Sequence, residues 1–134
     1  GIRPWQFIAV TDREKLKQLS LCREHGAGFL ADAPLAVVVI ADKTLCDVWI
    51  EDSSIAATIM QLTAQDLGLG SCWIQVRERY YKENQKAEEY IKKLLEIPEQ
   101  YSVECMLAIG YPAEEKPPYD EDQLLYCKLH YNKF

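Results

Sequence analysis

The chain has 134 residues and a formal net charge of −6, with 49% apolar and 27% charged residues. This is the balance of an ordinary globular domain, long enough to bury roughly 68–70% of its unfolded surface in one core. The acidic balance argues against a nucleic-acid partner, which needs Lys and Arg clustered against phosphates. No apolar run approaches the ~20 residues that span a bilayer, and no basic segment followed by a long apolar one opens the chain. A cytoplasmic protein with neither membrane nor nucleic acid as partner is the expectation. The five cysteines are odd in number and form no C-x-x-C, so a disulfide framework is disfavoured and most read as small buried hydrophobes. Cys22 with His25, and Cys127 with His130, share a spacing of three that a tetrahedral zinc site could use. Neither pair sits on an obvious metal-binding knuckle, so the spacing reads as coincidence and no metal is expected.

Gln6–Val10 (QFIAV) is short, apolar and β-prone and reads as a strand. Thr11 or Asp12 can cap the helix that follows, with Glu14 in its first turn and Leu16 and Leu19 on its apolar stripe. Gly26 and Gly28 break it. Ala36–Ala41 (AVVVIA) is a β-branched run, expected as a strand covered on both faces. Trp49–Leu67 is the longest helical segment, and from Ile55 it is apolar nearly all round. Such a helix must be covered on every side, which a second subunit would achieve, and Gly68 supplies its stop. Ser71–Val76 reads as a third strand. Glu83–Leu95 reads as a surface helix with Ala87, Ile91, Leu94 and Leu95 on one face. Glu88–Lys92 and Glu89–Lys93 are spaced as i,i+4 pairs on the other, and Pro98 ends the helix. Val103–Ile109 reads as a fourth strand, closed by Gly110-Tyr111-Pro112. Residues 113–123 form an acidic, proline-bearing arm, and 124–134 carry aromatics that need a surface to lie on. Strands interleaved with helices indicate an α/β layered fold.

Several of these segments, taken in order, resemble the nitroreductase family. They are Arg3-Pro4-Trp5-Gln6-Phe7 before a strand, Ala33-Pro34 before the AVVVIA strand, and Trp49 with Glu51-Asp52-Ser53-Ser54 opening the long helix. Leu67-Gly68-Leu69-Gly70-Ser71-Cys72-Trp73-Ile74 follows, then Leu94 to Glu99, Ile109 to Glu114, and the ending His130 to Phe134. The resemblance implies an α/β (α+β) nitroreductase-like fold: a mixed or antiparallel sheet of about four strands flanked by helices, with the central helix buried at a homodimer interface. Family members begin with two further helices carrying an Arg-Arg-Ser-x-Arg-type motif for the FMN phosphate. Residues 1–134 therefore read as a single domain of this type, truncated at its N-terminus.

The resemblance further implies an FMN-dependent oxidoreductase in which NAD(P)H is the co-substrate. Hydride would pass through the flavin to a small-molecule acceptor, a nitroaromatic, quinone or free flavin. The flavin carries the chemistry, so no catalytic side chain is expected. Trp73, Ile74, Gln75 and Val76 are placed beside the ring, where a main-chain N–H would meet its hydride-accepting nitrogen. By residue type alone the same stretch is a core strand with a buried Trp. Gly1, Ile2 and Arg3 would reach the ring from the second subunit, Arg3 bringing positive charge, and Gly1 stands where many members have Asn. Lys116 is placed near the FMN phosphate, for which a cation is suited, and the Gly26–Gly28 turn near the ring's edge. Arg77 and Arg79 follow directly and read as solvated, the alternative being contact with a nicotinamide cofactor's phosphates. The alternative is a protein of this fold that does not retain flavin and serves as an interaction module.

Overall fold

The computed structural model describes residues 1–134. In chain order the elements are β1 (Trp5–Val10), α1 (Arg13–Leu19), β2 (Leu35–Asp42), α2 (Trp49–Asp66), β3 (Gly70–Gln75), β4 (Tyr80–Lys82), β5 (Gln85–Lys86), α3 (Ala87–Leu95) and β6 (Tyr101–Gly110). Short 3-10 turns cover Gly28–Ala31, Glu121–Gln123 and Tyr126–Lys128. The main sheet runs β1-β2-β6-β3, every neighbouring pair antiparallel. The last strand in sequence thus lies inside the sheet, and β1 and β3 form its two edges.

Strand pattern decides which side chains meet which helix. Ala36, Val38 and Ile40 of β2 face α1 and α3, where they join Leu16, Leu19, Ile74, Ile91 and Met106 in a cluster of 17 buried residues. Val37 and Val39 face α2, where the buried cluster is only Val39, Ala57, Cys105 and Leu107. A bulge keeps this alternation in phase. The register slips between Val39 and Ile40, so that Val39 pairs with Cys105 but Ile40 pairs with Val103, leaving Glu104 as the extra residue. Without it Val103 would turn out of the larger cluster, because a one-residue slip exchanges the two faces of a strand.

Asp12, rather than Thr11, caps α1, its carboxylate accepting from the Lys15 N–H at 2.8 Å. Gly68 ends α2 in the left-handed region (φ +72). The expected helix over 83–95 begins later, at Ala87. Lys82 pairs with Gln85 across a two-residue turn in which Asn84 takes φ 62. That is the conformation a tight hairpin requires and Asn tolerates. Glu96, also left-handed, ends α3 ahead of Pro98. The spaced pair Glu88–Lys92 does not form: Glu88 accepts from the Val103 N–H at 3.1 Å, and Lys92 reaches Glu99 at 3.0 Å. Cys22, Cys46 and Cys105 are buried, and Cys72 and Cys127 are exposed.

Within one chain α2 is covered on one side only. Ser53, Ala57 and Ala64 are buried beneath it, while Ile55, Ile59 and Leu62, at i, i+4 and i+7, are 59%, 57% and 66% exposed. From Tyr111 to Phe134 every residue is exposed, so the aromatics of the arm lie on no surface of their own chain. No helix is long and apolar enough to cross a membrane.

Candidate functional site

Two features lie along β3, at its two ends. At the Gly70 end is a cleft of about 1010 Å³, walled by the turn after α2, the start of β3 and the segment Gly110 to Lys116. It is as large as the upper end of the ~300–1,000 Å³ usual for cofactor sites. Its floor is a close approach of β3, β6 and the residue that leads into β2. Gly70 pairs with Gly110, and a Cβ on Gly110 would stand 2.8 Å from Pro34 Cδ, so any larger residue there forces its neighbours to shift. Lys116 is the one basic residue of the lining, against Asp32, Glu114 and Glu115. Its ammonium is already paired with Glu114 at 3.1 Å. A phosphate placed here would meet three carboxylates and one committed cation.

At the other end, roughly 17 Å away at ~3.3 Å per residue, is the open edge beside Gln75. Ile74 and Val76 have no side-chain exposure and point into the larger core. Only their main chain can face a ligand. Trp73 and Gln75 point to the α2 side, where Trp73 Nε1 donates to Gln75 Oε1 at 3.0 Å and Gln75 Nε2 donates to the Arg77 carbonyl at 3.0 Å. The Val76 and Arg77 N–H groups both donate to the Glu104 carbonyl, at 3.4 and 3.0 Å. In an antiparallel ladder alternate residues turn both N–H and C=O to the same side. With Val76 turned to β6, Gln75 turns outward to the free edge. The Arg23 guanidinium donates to that outward Gln75 carbonyl at 2.8 Å, so the N–H beside it is the group the edge still offers.

Gly1, Ile2 and Arg3 are exposed and precede β1, at the opposite edge of the sheet from β3. Two strands intervene, about 14 Å at ~4.8 Å per spacing. Within one chain these residues thus lead into the strand farthest across the sheet from Gln75. The Gly26 turn, by contrast, lies against Arg23 and so beside the β3 edge. The sequence offered no motif for Arg23. Only the folded edge shows where its side chain goes.

The bulge residue Glu104 is the other unexpected group. Its side chain is on the α2 side, 4% exposed, with Oε1 3.4 Å from Ser54 Oγ and Oε2 without a partner. Burial raises its pKa from the ordinary glutamate range, helped by Glu51 and Glu88 and opposed by Arg77 and Ser54. Ser53 Oγ, buried on the same helix, is also without a partner.

Comparison with known proteins places these features in context. The profile of the nitroreductase family matches residues 17–111. An FMN-dependent nitroreductase from Clostridium difficile superposes with a TM-score of 0.97 and 56% identity, covering 99% of this chain and 78% of that one. A protein named "Putative NADH dehydrogenase/NAD(P)H nitroreductase" from Archaeoglobus fulgidus is 40% identical over 124 residues, 90% of this chain and 68% of its own length. One of the same name from Methanothermobacter thermautotrophicus is 38% identical over 115 residues, 84% of this chain and 57% of its own length.

Proposed function

Because the chain belongs to the nitroreductase family, we propose that it is the greater part of an FMN-dependent oxidoreductase. It would work as a cytoplasmic homodimer that takes hydride from NAD(P)H and passes it to a nitroaromatic, quinone or flavin acceptor. The observation that carries this reading is the 56% identity, over 99% of the chain, to a structure described as an FMN-dependent nitroreductase. The flavin, when bound, supplies the hydride chemistry; the chain binds, orients and tunes it.

Donor chemistry at the Gln75 edge fits a flavin ring, whose rim is rich in acceptor atoms: an outward N–H and a guanidinium converge there. Trp73 and Gln75 would form the wall behind the ring, and Ile74 and Val76 would stiffen the strand from the core side. Gly1, Ile2 and Arg3 would come from the second copy, since their own chain keeps them at the far edge. The exposed stripe of Ile55, Ile59 and Leu62 is the surface that a second copy would cover, in keeping with a helix apolar nearly all round from Ile55.

The Lys116 cleft fits a phosphate less well, its other charges being acidic. That observation supports a second reading, in which these residues alone do not retain FMN and the chain acts as an interaction module. One experiment separates the two. The purified chain is mixed with FMN, desalted, and its visible spectrum recorded. Retained flavin absorbance is the expected result, and a colourless protein overturns the oxidoreductase reading for this chain. Sedimentation at micromolar concentration tests the dimer, and a monomer there removes it.

A further inference from the structure

Arg23 is half-buried and has no carboxylate within salt-bridge distance; the ion pairs of the molecule lie elsewhere. A guanidinium withdrawn from water without a counter-charge is costly unless other groups compensate. Here the compensation inside the chain is one hydrogen bond, from Nη1 to the Gln75 carbonyl at 2.8 Å. Guanidinium carries five N–H donors in a rigid fork, so most of its donor capacity is left over.

The position is built. Arg23 follows directly on Cys22, which is fully buried in the larger core and whose N–H donates to the Leu19 carbonyl at the end of α1 at 3.0 Å. The side chain therefore leaves from a rigid point. Gly26 lies beside the fork: a Cβ there would stand 3.2 Å from Nη2 and 3.5 Å from Cζ. At φ +80 this position both needs glycine for its backbone and uses the missing side chain to seat the guanidinium.

The consequence falls on β3. A free strand edge alternates N–H and C=O groups and is a template for another strand. At Gln75 the acceptor is taken by Arg23, while the outward N–H is free. At Gln75 the rim is therefore rich in donors and positively charged, which suits the electron-rich edge of a planar heterocycle and disfavours strand addition at that position.

We propose that Arg23 is a positioning and charge-supplying residue of the flavin site: held on the Gln75 carbonyl, it fixes that stretch of β3 and presents its remaining N–H groups to the acceptor rim of the ring. The inference rests on the reading of Gln75 as ring-adjacent. It makes Arg23, from the same chain as β3, the cation that favours the extra negative charge gained on reduction. Arg3, from the opposite edge, would at most add to it.

The test uses the full chain loaded with FMN, as wild type, Arg23→Gln and Arg23→Lys. FMN affinity is read by fluorescence titration and the reduction potential of the bound flavin by spectroscopic titration. Thermal melting reports folding. For Arg23→Gln the expected result is a Kd raised by about tenfold or more, the loss of a charge-assisted hydrogen bond, with the potential shifted to more negative values. Arg23→Lys is expected to restore most of the potential but only part of the affinity, since an ammonium keeps the charge without the fork. A lowered melting temperature with unchanged potential and Kd makes Arg23 an edge cap only and overturns the proposal. Should Arg23→Gln not fold, Arg23→Lys decides: unchanged affinity overturns it. A wild-type chain that holds no FMN overturns the ring-adjacent reading and this inference together. A wild type that holds FMN beside an unaltered Arg23→Gln overturns this inference alone.

Discussion

The two faces of the sheet are finished to different degrees. On the side of α1 and α3, 17 buried residues interlock and large side chains such as Leu16, Leu19, Ile91 and Met106 are fully enclosed. On the side of α2 the enclosed cluster has four members, and the helix over it shows Ile55, Ile59 and Leu62 to solvent. The first face gives the chain its own stability. The second leaves the apolar outer side of α2 uncovered within the chain, and the buried polar groups Glu104 and Ser53 also lie there.

Perturbing the two faces should therefore have unequal effects. Leu16→Ala, in the sealed face, is expected to cost about 2–5 kcal/mol, the range for a cavity left by a buried leucine, measured by urea unfolding. Gly110→Ala should cost about 1–3 kcal/mol as an overpacked contact, because the added Cβ meets the rigid ring of Pro34 at 2.8 Å. Asp12→Ala removes the cap of α1 and should cost ~1 kcal/mol.

Glu104 sharpens the comparison through pH. Its raised pKa means that the folded chain holds this proton to higher pH than the unfolded chain does. The stabilisation from the neutral carboxyl is thus fully present below the ordinary glutamate range and is lost as pH rises through the raised folded value. Stability should fall over that window in wild type, and the fall should flatten in Glu104→Gln. Equal slopes in the two proteins would show that the buried carboxyl is not responsible. The smallest effect on the chain itself is expected for Leu62→Glu, within about 0.5 kcal/mol as for other exposed positions. The same substitution should abolish self-association in sedimentation if α2 meets a second copy. An unchanged sedimentation profile would place any dimer contact elsewhere.

Much of the architecture was legible from residue pattern. The strands near 6–10, 36–41, 71–76 and 103–109, the helix from Trp49 and its stop at Gly68 all appear within a few residues of the expected bounds. Each rests on local physics: β-branched runs, helical periodicity and a left-handed glycine. The start of α3 was misplaced because Asn84, an unobtrusive residue, turns a short hairpin that periodicity does not register. The Glu88–Lys92 spacing was real, but both side chains found tertiary partners instead.

Of the candidate site, Lys116 stands in a cleft, and Trp73 and Gln75 stand at the open rim of the sheet. Neither placement follows from composition, since strand order is set by which faces pack together across long separations. The bulge at Glu104, the seating of Arg23 against Gly26 and the separation of Gly1–Arg3 from β3 belong wholly to the tertiary structure. By itself the sequence determined which segments are helix or strand, that the long helix is apolar nearly all round from Ile55, and the family resemblance carried by its ordered motifs. The fold decided which edge is open, which cation reaches it and which side of the helix is left uncovered, because those depend on contacts between residues far apart in the chain.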